Sequence, residues 1–165
     1  MKTIQQMLKD IHGESGDGLV SCPAQAKSGP TLRELGRTLV KVHSWYTRLV
    51  RADDNGMVKC FTCQTWLPWT QAQEGHFIPR SKLGTKFLDM NTHPQCPVCN
   101  VVKRGNLLVY AIRLDERYGN GTAFKLAAIA RDHRCEPPSR ADLVEAISKY
   151  KALVKIEKKR LGIIK

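Results

Sequence analysis

At 165 residues and 42% apolar content, the chain has material for one compact core with a modest extension, not for two. Lys and Arg number 27 against 15 Asp and Glu, a formal charge of +12, which excludes a strongly acidic surface and favours a polyanionic partner. Nucleic acid leads that class, and a merely solvated basic surface is the alternative. No stretch approaches the roughly 18 uninterrupted apolar residues of a membrane span, and Met1 to Asp10 lacks the apolar run of a signal peptide, so the expectation is a cytoplasmic protein without a membrane partner.

Residues 1–30 read as a loosely held arm. A short amphipathic stretch (Ile4, Met7, Leu8, Ile11) precedes a Gly, Ser and Asp-rich run from Gly13 to Gly18 and then Ser28-Gly29-Pro30. Thr31-Leu32-Arg33-Glu34 has the form of a capping box, in which Thr and Glu side chains satisfy each other's orphan amides. A helical segment is therefore expected over 31–56. Leu35, Leu39, Val42, Tyr46 and Leu49 give it one apolar stripe, Arg33, Arg37, Lys41, Arg48 and Arg51 its basic face, and Asp53-Asp54-Asn55-Gly56 ends it.

From 57 to 105 the helical period fades and Cys, His, Trp, Pro and Gly dominate, as expected of short strands and loops organised by a metal. Trp66 and Trp69 flank Pro68 here, and core packing is favoured for them over stacking on bases. From 106 to 165 the chain is expected to be helical again. Leu108, Ala111, Ile112 and Leu114 lead to Tyr118-Gly119, a second segment runs from Thr122 to about Arg131, and Pro137-Pro138 breaks it. Ser139 and Asp142 open a long basic helix striped by Leu143, Ile147, Tyr150, Val154 and Leu161. Packing onto the protein's own core is the favoured use of that stripe, and a homodimer contact the alternative.

Cys60-Phe61-Thr62-Cys63 and Cys96-Pro97-Val98-Cys99 are two Cys-x2-Cys knuckles. Each turns two sulfurs toward one point, and two knuckles complete a four-thiolate zinc site with no open position, hence a structural one. So few apolar residues lie between 57 and 105 that zinc is expected to contribute directly to the folding of this segment. Cys22 and Cys135 have no partner at knuckle spacing and read as free thiols.

Between the knuckles lie Glu74-Gly75-His76-Phe77-Ile78-Pro79-Arg80 and Asn91-Thr92-His93-Pro94-Gln95, and after the last cysteine come Asn100 and Lys103-Arg104-Gly105-Asn106, then Tyr110. This order resembles the zinc-containing HNH nucleases. More narrowly, from about Leu39 to Leu161, the chain is similar to the NinG (Rap) recombination proteins of lambdoid phages, which share Gly-His-aromatic, Asn-x-His-x-Gln-Cys-x2-Cys-Asn and Lys-x-Gly-Asn steps.

The resemblance implies an α+β fold in which a zinc-stapled ββα-metal (HNH) core at 57–105 is flanked by the N-terminal helix and a helical C-terminal half. It implies a phage- or prophage-encoded endonuclease in a bacterial host, cutting DNA with Mg2+ or another divalent cation. Branched recombination intermediates such as D-loops and Holliday junctions are the implied substrates. His76 would be the general base, Asn91 would orient that imidazole or its loop, and Asn100 would offer its oxygen to Mg2+ or else cap a helix. Where HNH enzymes commonly carry an acidic metal ligand directly before the histidine, this chain has Gly75, which leaves His93 and Asp89 as candidates, His93 being favoured because it matches the narrower pattern. Glu74 reads as a solvated neighbour. Arg80, Lys82 and Lys86 after the histidine, and Lys103 and Arg104 after Asn100, bracket the site with cations suited to phosphate. Two other readings remain at this point: a sequence-tolerant HNH nickase or homing-type endonuclease, and a non-catalytic zinc module that binds DNA.

Overall fold

The computed structural model describes residues 29–131 and 136–164. The expectations for residues 1–28, and for Cys22 and Cys135 as free thiols, lie outside the described residues.

Helix α1 (Leu32–Leu49) begins on the capping box read in the sequence: Thr31 Oγ1 accepts from Glu34 N at 3.2 Å, and Thr31 N donates to Glu34 Oε2 at 2.7 Å. The helix stops at Leu49, short of the Asp53 to Gly56 turn, because the chain there is recruited into a hairpin. The Asp53 carboxylate accepts from both Asn55 N and Met57 N. That hairpin pairs β1 (Met57–Lys59) antiparallel with β2 (Trp66–Pro68). A second one pairs β3 (Gln73–His76) with β4 (Thr92–Gln95), in the register Gln73 to Gln95, Gly75 to His93 and His76 to Thr92. The second knuckle then enters one wide helical turn (Val98–Val102), closed by an i+5 bond from Lys103 N to Val98 O. Arg104, Gly105 and Asn106, all at positive φ, turn the chain into α2 (Leu107–Tyr118) and α3 (Thr122–Arg131). A final helix, α4 (Arg140–Arg160), starts on a second capping box made by Ser139 and Asp142. The architecture is mixed α+β.

Three apolar clusters hold these pieces. Leu35, Leu39 and Val42 of α1 meet Leu143 and Ile147 of α4, with Phe87 and Tyr150 at the margin. The terminal stripe therefore packs on the protein's own core, and each such buried Leu or Ile contributes about 1.5–3 kcal/mol. Arg160 fastens the far end by donating to the carbonyls of Leu49 and Ala52 at 3.0 and 2.9 Å, where α1 has ended and left acceptors open. Ala52, Val58, Leu67 and Ala72 enclose Cys60 and Cys99, while Phe61, Tyr110, Leu114 and Leu126 join the first knuckle to α2 and α3.

Two expectations need correction. Trp69 packs against the cysteine cluster as expected, but Trp66 is 51% exposed, with Lys59 Nζ 4.9 Å from its ring centre. It sits on a strand face that none of the described residues covers. Leu108 and Ile112, read as part of an α2 stripe, are 78% and 52% exposed, because Tyr110 and Leu114, four apart, are the residues that anchor the helix. Among the described residues no helix is long and apolar enough to cross a membrane.

Candidate functional site

The two knuckles converge as their spacing implied. The Sγ atoms of Cys60, Cys63, Cys96 and Cys99 all lie within 4.8 Å of one another, and Cys63 and Cys96 are 3.8 Å apart. A tetrahedron with zinc-sulfur bonds of 2.3 Å has edges of about 3.8 Å, so this cluster can hold a metal such as zinc with no open coordination position. Cys60 and Cys99 are buried and Cys63 is exposed, which puts the cluster between the core and the surface.

Strand alternation sorts the candidate histidines. Successive residues of a strand face opposite ways, so His76 shares a face with Glu74 and its partner Thr92, while His93 shares the other with Gly75 and Gln95. On its face His93 is fully buried. Its Nδ1 and Nε2 lie 3.0 and 2.9 Å from the hydroxyls of Tyr110 and Tyr118, and its ring stacks on Phe61 at 3.8 Å. Burial, with the charges of Arg51 and Arg117, pushes its pKa down to about 2. A ring with both nitrogens occupied, on the wrong face, is not brought together with His76 and Asn100, so the favoured Mg2+ ligand of the sequence reading fails. Asp89, the other candidate, lies beside Arg51 and Tyr118 on the wall of a different cavity.

His76 is half-buried at the end of β3. Its Nε2 lies 3.1 Å from the carbonyl oxygen of Lys86, an acceptor, so the proton sits on Nε2 and the Nδ1 lone pair is left over. The only donor near Nδ1 among the described residues is Arg80 Nε at 3.4 Å, a long contact that a closer donor can replace. Burial lowers the His76 pKa, the Glu74 carboxylate opposes that, and the Arg80 charge adds to it, so the net shift is downward and the ring is neutral at pH 7. Asn91, wholly buried, explains how the carbonyl is presented. Its Oδ1 accepts from Ile78 N at 2.7 Å, and its Nδ2 donates to Ile78 O at 3.1 Å and Thr85 O at 2.9 Å. It thus pins both ends of the loop that carries Lys86.

Glu74 is not the solvated neighbour expected. It is 3% exposed, with Oε1 2.5 Å from His43 Nδ1 and 3.1 Å from the Thr47 hydroxyl, both on α1. Burial alone would raise its pKa, but the His43 hydrogen bond and nearby positive charge bring it below the usual carboxylate range, so it is ionised. Its second oxygen is 4.0 Å from Arg80, and Glu74 lines a 390 Å³ cavity together with Gln73, Arg80, Asn100, Ser44 and Arg48. Asn100 donates Nδ2 to Gln73 Oε1 at 2.7 Å, which leaves its own Oδ1 available. A carboxylate oxygen and an amide oxygen on one cavity wall are the donor types a hard divalent cation takes. His76 does not line this cavity; Arg80 joins the two, touching His76 Nδ1 and donating to Glu74 O at 3.2 Å.

Gly75 has a steric reason. A Cβ there would lie 2.0 Å from Oε1 of Gln95, which is itself fully buried and donates to Thr62 Oγ1 and Gly105 O. The position before the histidine therefore has no room for an acid. Of the expected phosphate contacts, Arg80 belongs to the site, Lys82, Lys103 and Arg104 are exposed, and Lys86 is half-buried with Nζ 5.2 Å from the Phe87 ring centre. Glu74, His43 and Tyr110 were missed as site builders. Tyr110, wholly buried, is 3.0 Å from His93 Nδ1 and donates toward the carbonyls of Gly75 and Asn91 at 3.2 and 3.3 Å, so it ties α2 to both strands. The signal for Glu74 was its two-residue offset from His76, which places both on one strand face.

Comparison with known proteins matches the chain to a family. A family model described as Bacteriophage Lambda NinG protein matches residues 31–160. Two curated relatives, each called Protein ninG, come from Salmonella phage P22 and Escherichia phage lambda. They are 34% and 33% identical over 76 residues, which is 46% of this chain and 37% of each relative, so the matched stretch spans little more than a third of the relatives' length. No solved structure matches.

Proposed function

This chain belongs to the bacteriophage lambda NinG protein family, and we propose that it is a metal-dependent DNA endonuclease of the HNH type, acting on branched DNA inside the bacterial host. On this reading the β3–β4 hairpin and the wide turn after it form the ββα-metal core, with zinc on the four cysteines as its staple. The observation that carries the proposal is the contact of His76 Nε2 with the Lys86 carbonyl oxygen at 3.1 Å: an acceptor there puts the ring proton on Nε2 and leaves Nδ1, which Arg80 Nε meets only at 3.4 Å, to take a proton.

Phosphodiester hydrolysis needs a base for water, charge stabilisation at phosphorus and a held geometry. His76 Nδ1 takes the proton of the water whose oxygen attacks phosphorus. The ester oxygen leaves on the opposite side, and the Lys86 carbonyl stabilises the imidazolium that results. Arg80, already against Nδ1 and reaching the Glu74 carbonyl, swings its guanidinium onto the phosphate. Glu74 and Asn100 would hold the divalent cation, since both line one cavity, both carry an oxygen donor and each has a partner that fixes its orientation. A cation bound there supplies Lewis-acid stabilisation of the negative charge. Asn91 does not touch DNA; it keeps the Lys86 carbonyl in place.

The preference for branches is tested by incubating the purified chain with Mg2+ and matched linear, nicked, flapped and four-way DNA. Faster cutting of the four-way and flapped substrates is expected. Equal cutting of all four removes the branch preference, and no cutting of any with either Mg2+ or Mn2+ removes the nuclease.

A further inference from the structure

Beside β4, on the side away from β3, lies a second cavity of 270 Å³, lined by Arg51, Lys59, Phe61, Gln64, His93 and Arg117. It shares no residue with the cavity of Glu74 and Asn100. Three cations stand on its wall and no carboxylate does. Arg51 is held in place by backbone carbonyls, donating to Thr47 O at 3.0 Å and Asp89 O at 3.2 Å, so its charge is fixed in position, and it forms no ion pair within 4 Å among the described residues. Neither Lys59 nor Arg117 forms an ion pair among the described residues. Each rests over an aromatic ring instead, Lys59 over Trp66 and Arg117 over Tyr118. Arg51 and Arg117 also line the adjoining cavity, where Asp89 stands with Tyr46 and Tyr118, so Lys59 is the cation that belongs to this cavity alone.

Concave walls of one sign focus potential and concentrate a counter-ion. The floor carries no negative charge: His93 sits there between the hydroxyls of Tyr110 and Tyr118. Gln64 is turned inward, its Nε2 donating to the carbonyls of Phe61 and Cys60 at 2.7 and 3.3 Å, which leaves its oxygen outside that network. Exposed Trp66, next to Lys59, adds a flat apolar face at the rim.

From these observations we propose that the cavity of Arg51, Lys59 and Arg117 is a second phosphate-binding site, which holds a DNA backbone phosphate other than the one cut while Trp66 stacks on a neighbouring unpaired base. The choice of DNA as the source of the phosphate rests on the nuclease reading; the preference for an anion does not. Such a site gives a branched substrate two points of attachment, the scissile phosphate at His76 and a second at Lys59, and so supplies register without reading sequence.

The test compares the double variant Lys59→Ala/Arg117→Ala with a control of equal charge change, Lys149→Ala/Lys155→Ala on exposed positions of α4 outside both cavities. Binding of labelled four-way and linear DNA is measured by fluorescence anisotropy without added Mg2+ over a range of salt. All four side chains are exposed, so circular dichroism should stay at wild type. The cavity variant is expected to lose about tenfold in affinity, and its salt slope to fall by about one, for the one phosphate the cavity holds, with a much smaller loss in the control. Equal losses in the two variants, or unchanged affinity in the first, overturn the site. Inorganic phosphate that perturbs the Phe61 resonances of the wild type, combined with unchanged DNA affinity of the cavity variant, assigns the cavity to free phosphate and overturns DNA as its source. A protein that binds through this cavity but cuts nothing sinks the nuclease and leaves the phosphate site; a nuclease indifferent to the variant does the reverse.

Discussion

Gly75 shows how much a single position can decide. Its missing Cβ makes room for Gln95, whose amide is bonded to Thr62 and Gly105 and cannot retreat without breaking those bonds. Gly75→Ala is expected to destabilise the fold by about 1–3 kcal/mol, as overpacking and a lost buried hydrogen bond do. Urea unfolding checks this, and Gly75→Ala/Gln95→Ala should recover part of the loss, the mark of two residues in contact. His93 makes a prediction of different kind. Its folded pKa is about 2, against roughly 6.5 when unfolded, so below pH 6.5 the unfolded chain binds a proton that the native state refuses. The stabilisation is complete above pH 6.5 and falls by about 1.4 kcal/mol per pH unit below it. Unfolding measured at pH 7.5 and pH 5.5 should show this slope in the wild type and lack that share in His93→Gln; equal slopes would refute it.

At the scale of elements, the loop between β3 and β4 works only because Asn91 spans it. Asn91→Ala leaves the Ile78 amide without its partner and takes one of two donors from the Thr85 carbonyl, which keeps Leu88 N, at a cost of about 1–3 kcal/mol, and loosens the segment whose next carbonyl holds His76. Turnover should drop while DNA affinity stays near wild type; a protein with undiminished turnover would show that the brace is structural alone. What could be read from the sequence was local. The two capping boxes depend on residues three apart, and the knuckles on four-residue turns, so their chemistry is written within a few positions of the chain. The pairing of Glu74 with His43 joins residues 31 apart and depends on α1 lying across β3, which no local pattern states. The same holds for His93: its exclusion from the His76 site follows from strand register, and register is a property of the folded pair. Leu108 and Ile112 share the lesson, since an apolar stripe gives a helix but not the side of it that finds a partner.

For the molecule as a whole, the strands are too short and the clusters too small to hold the centre without the staple. Val58, Leu67 and Ala72 close directly onto Cys60 and Cys99, so a metal bound by the four cysteines would form its site together with this core. Cys60→Ser is accordingly expected to remove zinc and to abolish cooperative unfolding of the centre rather than only to slow turnover. A variant with wild-type circular dichroism and zinc content would contradict that. The charge of +12 then has two concave outlets, one around Arg80 and one around Arg51, Lys59 and Arg117, on a frame whose outer helices α1 and α4 are locked by their shared core.

The claim on which the rest stands is that His76 removes a proton from water in front of a DNA phosphate. Single-turnover cleavage of four-way DNA by the wild type and by His76→Ala, at saturating Mg2+ and matched occupancy, addresses it directly. The variant is expected to bind as the wild type does and to cut about 10²- to 10⁴-fold more slowly, the range a general base contributes. Cleavage at the wild-type rate would contradict the account.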